Sequence, residues 1–116
     1  MRSLLGAIAA LALSATAAFA GDEVMASRFG NTTITTDGSG QSSKIYYEAD
    51  HSFTGVQGEQ QLAGTWAVQG SQVCLTFSSE PPPGYPNPIC TPVSNHAVGE
   101  TWTAGPFTVQ LVAGHQ

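Results

Sequence analysis

Residues 61–77 read QLAGTWAVQGSQVCLTF, and the fold turns on how this stretch doubles back on itself. Gly70 and Ser71 interrupt two runs of alternating side chains, and glycine in the first central position supplies the positive φ that a type II′ turn needs. With those two residues at the tip, Gln69 pairs with Gln72, Val68 with Val73, Ala67 with Cys74 and Trp66 with Leu75. Side chains alternate across a strand, so Leu62, Gly64, Trp66 and Val68 then share one face with Val73, Leu75 and Phe77. Gly64 falls opposite Phe77, whose ring covers the bare glycine. Cys74 belongs to the other face, which places any bond it makes on the back of the sheet, away from the main core.

Outward from this hairpin, no stretch beyond the N-terminus shows a 3.6-residue period. Thr, Val, Ile and aromatic residues instead recur in short runs cut by Gly, Pro, Asn and Asp. The pattern predicts strands at 31–36, 43–49, 52–56, 61–68 and 72–78, with shorter ones at 89–93, 101–103 and 107–112. The fold class is therefore all-β: an antiparallel meander of roughly six to eight short strands, forming a curled sheet or a small barrel. Residues 21–116 read as one domain, with 21–27 a loose lead-in, and no repeat or linker divides them.

The chain has 116 residues, of which 41% are hydrophobic and only 9% charged, enough for one small domain. Its formal charge of −5 and its three Lys plus Arg residues leave no basic footprint for a phosphate backbone, so nucleic acid is not an expected partner.

Residues 1–20, MRSLLGAIAALALSATAAFA, place one Arg before an apolar run that ends in Ala18-Phe19-Ala20, a small-x-small cleavage signature. Asp22 and Glu23 follow at once, with no Lys/Arg cluster to stop transfer. The segment reads as a signal peptide, so the expected address is periplasmic or secreted, with no stable membrane insertion after cleavage. In an exported chain with two cysteines, Cys74 and Cys90 are expected to form one disulfide. A zinc pair would want further Cys or His at ligand spacing and a redox pair would read C-x-x-C, and the sequence has neither. No metal or cofactor is expected.

Between the two cysteines runs EPPPGYPNP, residues 80–88. Pro81, Pro82, Pro83, Pro86 and Pro88 lack amide donors and favour polyproline geometry, so this is a stiff loop rather than part of a sheet. Pro83 and Tyr85 sit at its tip as candidate contacts for a protein partner, because a rigid loop loses little entropy on docking.

Gly64-Thr65-Trp66, Val73-Cys74-Leu75, Pro86-Asn87-Pro88-Ile89-Cys90 and Val98-Gly99-Glu100-Thr101-Trp102, in that order and spacing, resemble a group of small exported bacterial proteins of unknown function. The resemblance covers roughly residues 50–111. It implies a lipocalin-like antiparallel β fold and an extracytoplasmic address, with no activity to carry over. Members of that group tend to carry Asp-Gly where this chain has Asp50-His51, so a turn position that calls for positive φ holds a histidine here.

The chain contains no G-x-S-x-G elbow, H-E-x-x-H, P-loop or calcium loop. His51, His96 and His115 fall in a turn, a loop and the C-terminus and read as surface residues. Glu48 and Asp50 flank a turn, where carboxylates serve local amides. The first reading is thus a non-catalytic exported domain that works by contact. The second is a lipocalin-like carrier with an apolar pocket lined by Trp66, Leu75, Phe77 and Trp102, where large rings either fill a small barrel or line its cavity. The third is an inhibitor that presents the Pro-rich loop.

Overall fold

The hairpin of residues 61–77 forms in the register that its turn dictates. β4 (Gln60–Gln69) and β5 (Gln72–Phe77) pair Gln69 with Gln72, Val68 with Val73, Ala67 with Cys74 and Trp66 with Leu75. Gly70 has φ 63°, as the first central residue of a type II′ turn must. Gly64 lies opposite Phe77 on one side and Phe53 on the other, and those two rings meet edge to face at 5.4 Å. A methyl at Gly64 would run into the Thr76 carbonyl and would lie 2.8 Å from Phe53 Cε2, so two walls, not one ring, require the glycine.

The computed structural model describes residues 21–116, and the signal peptide expected over residues 1–20 lies outside them. A 3₁₀ helix, Asp22–Arg28, precedes β1 (Thr32–Thr36), β2 (Ser42–Tyr47) and β3 (Ser52–Gln57). After the β4–β5 hairpin come β6 (Ile89–Pro92), β7 (Thr101–Ala104) and β8 (Phe107–Val112). All eight strands form one antiparallel sheet in the order β6-β5-β4-β3-β2-β1-β8-β7. The first six make a meander, and β8 returns to pair with the opposite side of β1. The sheet curls into a nearly closed barrel whose edges are β6 and β7. Ile89 of β6 packs across this seam on the cluster of Ala104, Phe107 and Val109. Pro92 ends β6 on an edge, where a missing amide donor interrupts no ladder.

The lead-in differs from the expectation for residues 21–27. It is not loose: Met25 is fully buried and joins the core of Ile45, Tyr47, Phe53, Leu62 and Trp66. With about three residues per turn, a 3₁₀ helix stacks Met25 and Arg28 on one face, and this face closes one end of the barrel. A sequence pattern tuned to 3.6 residues does not register so short an element. The strap 93–99 crosses the same end, joined to the helix by the Ser27 hydroxyl donating to the His96 carbonyl at 2.6 Å. The Pro-rich loop covers the opposite end. Asn87 pins it by accepting from the Phe77 amide at 2.9 Å and donating to the Phe77 carbonyl at 3.2 Å, replacing a ladder step that proline cannot make.

Tyr46 and Tyr47 point to opposite faces, as alternation requires, yet both are buried. Tyr47 enters the core. Tyr46, on the outside, is covered by the C-terminal tail: its ring stacks on His115 at 3.8 Å and its hydroxyl donates to the Gln116 carbonyl. His51 has φ 75°, the positive value expected of that turn.

The barrel cavity as candidate functional site

The curled sheet aims one face of every strand at a common axis, and the side chains there do not fill the space between them. A cavity of about 80 Å³ remains. Its apolar wall includes Leu62, Val73, Leu75, Phe77, Phe107 and Val109, the inward positions of β4, β5 and β8. The more polar part of its wall comes from β1 and β2, whose inward residues Thr33, Thr35, Ser43, Ile45 and Tyr47 follow the period of two along each strand, with Ile45 the apolar member. The interior is therefore two-sided in polarity, which an ordinary packed core is not.

Of the aromatic and aliphatic residues expected to line a pocket, Leu75, Phe77 and Trp102 do so. Trp66 has the same inward orientation but is not a lining residue. It is 2% exposed, packed against Phe29, Tyr47 and His51, with Nε1 donating to the Glu48 carbonyl at 2.9 Å. Phe29, which follows the 3₁₀ helix, and His51, held by Asp22 of that helix, lie against Trp66.

Arg28 lines the cavity at its helix-capped end, and nothing in the composition had singled it out. It is 4% exposed; Nη1 donates to the Val24 carbonyl at 2.7 Å and Nη2 to the Ser94 carbonyl at 3.3 Å. Its guanidinium carbon lies 5.3 Å from the centroid of Trp102, within cation–π range. Burial lowers the Arg28 pKa from its usual value, with Tyr47 acting the other way. Burial also pushes the Tyr47 hydroxyl up to about 12, so at neutral pH it is an O–H donor. The one signal in the sequence that pointed here is the three-residue spacing of Met25 and Arg28. The Thr33 hydroxyl, also on the cavity wall, is buried and has no hydrogen-bond partner among the described residues.

At the other end Tyr85 bridges the loop and the barrel. Its ring lies 5.8 Å from Phe107 and its hydroxyl donates to Asp37 Oδ2 at 3.2 Å; desolvation by burial, and next to it the Asp37 charge, raise its pKa. Pro82 is buried against the cavity, whereas Pro83 is exposed. A second, open groove of about 350 Å³ outside the seam shares Tyr85, Ile89, Thr91 and Phe107 with the cavity.

Cys74 and Cys90 are bonded, directly opposite one another on β5 and β6, and alternate with the cavity-lining Val73, Leu75, Ile89 and Thr91. The disulfide therefore sits on the outer face and ties an edge strand to the sheet. The histidines are more engaged than surface residues need be. His51 contacts Asp22, and His96 stacks on Trp102 at 3.7 Å with Nδ1 3.1 Å from Glu100. Asp50 accepts from the Ser52 amide and hydroxyl, the local role expected of it.

Among the described residues no helix is long and apolar enough to cross a membrane, and no three His, Cys, Asp or Glu side chains are grouped to hold a metal ion. No family model, curated protein or solved structure matches the chain. Fold and site together define a small, disulfide-tied, nearly closed antiparallel barrel with a partly polar internal cavity.

Proposed function

We propose that this protein is a non-catalytic exported domain that takes a small molecule into the interior of its barrel. The observation that carries the reading is the cavity itself: strands from both halves of the chain contribute to its wall, and Leu75, Phe77 and Trp102 give it apolar surface. Ligand sites in small barrels lie in their mouths and interiors, where apolar walls supply affinity and a few polar groups set orientation. The Cys74–Cys90 bond and the leader-like N-terminus support an oxidising, extracytoplasmic address. Partner-protein recognition through Pro83 and Tyr85 has less support, because the Tyr85 ring and hydroxyl are already engaged by Phe107 and Asp37.

The test is intrinsic fluorescence during titration with small apolar alcohols and acids. Trp102 lines the cavity and Trp66 does not, so a saturable change that vanishes in Trp102→Phe supports the reading. An unresponsive wild type, or a change that survives in Trp102→Phe, counts against it.

A further inference from the structure

Arg28 is one of two cationic side chains among the described residues, with Lys44, and the fold buries it in the barrel wall. The chain has eight Asp and Glu residues, yet both ion pairs among the described residues are made by histidines, His51 with Asp22 and His96 with Glu100. Among the described residues Arg28 meets only the carbonyls of Val24 and Ser94 and the face of Trp102, so most of its N–H donors have no acceptor there. A buried charge is costly unless it is paired. A guanidinium buried in the wall of a cavity, with donors to spare, offers a place for one anion.

The neighbouring hydroxyls point the same way. Tyr47 lines the cavity beside Arg28, and Thr33, whose Oγ1 has no partner among the described residues, lies opposite Ile45, one inward position along β2 from Tyr47. A guanidinium and two hydroxyls on the wall of one cavity supply the donors that an acceptor with two oxygens, such as a carboxylate, would take.

We propose that the cavity binds a small amphiphilic carboxylate, its head group paired with Arg28 and hydrogen-bonded by Tyr47 and Thr33, and its apolar tail directed along Leu75 and Phe77 toward the Pro-rich loop. The assignment rests on the small-molecule reading above and narrows it to one ligand class. The size is consistent. A dry cavity of about 150 Å³ admits the six carbons of benzene, so 80 Å³ holds about three heavy atoms, the size of the head group alone. The tail continues past Tyr85 and Phe107 into the outer groove, which shares those residues with the cavity.

The experiment compares hexanoate, hexan-1-ol and hexylammonium as probes of the purified protein, with dissociation constants from fluorescence titration. The expected result is that hexanoate binds at least about tenfold more tightly than hexan-1-ol, that hexylammonium does not bind, and that Arg28→Gln removes the preference for the acid. Equal binding of the acid and the alcohol, or a preference that survives Arg28→Gln, overturns the carboxylate assignment and leaves the small-molecule reading standing. Silence toward all three overturns both. Thr33→Val carries the test separately should Arg28→Gln fail to fold, because it breaks no hydrogen bond to another described residue. A raised melting temperature with hexanoate binding at least about threefold weaker is expected, and unaltered hexanoate affinity overturns the assignment.

Discussion

The imidazole of His51 lies flat on the indole of Trp66, with ring centroids 4.2 Å apart and planes within 14°, while its Nε2 sits 2.6 Å from Asp22 Oδ2. The contact joins the 3₁₀ helix to the turn before β3 and lays both over the buried Trp66. It also holds a non-glycine residue at φ 75°, a conformation that costs about 1–2 kcal/mol for a residue with a Cβ. His51→Ala loses the contacts and keeps the strain, and is expected to lower stability by about 1–2 kcal/mol in urea unfolding. His51→Gly loses the same contacts but relieves the strain, and recovers about half of that. Equal midpoints for the two variants would show that the backbone conformation contributes nothing.

The disulfide ties β6, an edge strand with a single paired neighbour, to β5 across a sequence separation of 16. Loop closure of this length is worth about 3 kcal/mol in the chain-entropy model. For a domain this small that corresponds to a melting temperature at least about 10 °C lower after reduction. Hydrogen exchange of the reduced protein is expected to lose protection first in β6, since the rest of the ladder does not depend on the bond. Coincident melts with and without reductant are the contrary result.

Gly64→Ala is expected to cost about 3 kcal/mol or more, because the added carbon meets a backbone carbonyl that cannot move without disturbing the β4–β5 ladder. Gly38→Ala, in the turn after β1 with open space around it and no positive φ, is the control and is expected to stay within about 0.5 kcal/mol. A mild effect at Gly64 in chemical denaturation would mean that the two strands stand farther apart at this point.

Tyr47 makes stability depend on pH at the alkaline end. Its folded-state pKa is raised by burial to about 12, with Arg28 opposing, whereas an unfolded tyrosine ionises near pH 10. The contribution is fully present below about pH 10 and is lost as pH rises toward 12, to a total on the order of 2–3 kcal/mol. Thermal melts across that window are expected to fall more steeply for wild type than for Tyr47→Phe. Parallel slopes would remove Tyr47 as the cause.

Much of the wall was legible in the residues themselves. Turn chemistry at Gly70-Ser71 and alternation along 61–77 are short-range properties, so the pairing of Trp66 with Leu75 and the outward sulfur of Cys74 could each be read from the residues, whereas the positive φ at His51 was implied only by the resemblance. Strand ends moved by no more than a residue or two, as in the shift from 43–49 to Ser42–Tyr47. The interior was not legible. Periodicity shows that Trp66 and Leu75 both face inward, but it does not say which of them a distant segment covers.

The sequence by itself determined the strands, and in the hairpin 61–77 the register and the side each residue faces, because these depend on near neighbours and on the two-residue period of extended backbone. Only the tertiary structure decided that residues 22–28 close the barrel, that Phe29 and His51 rather than the cavity lie against Trp66, and that Arg28 enters the wall with Tyr47 and no carboxylate among the described residues pairs with it. Those outcomes depend on where a curled sheet brings together residues far apart in the chain, and no local pattern encodes that meeting.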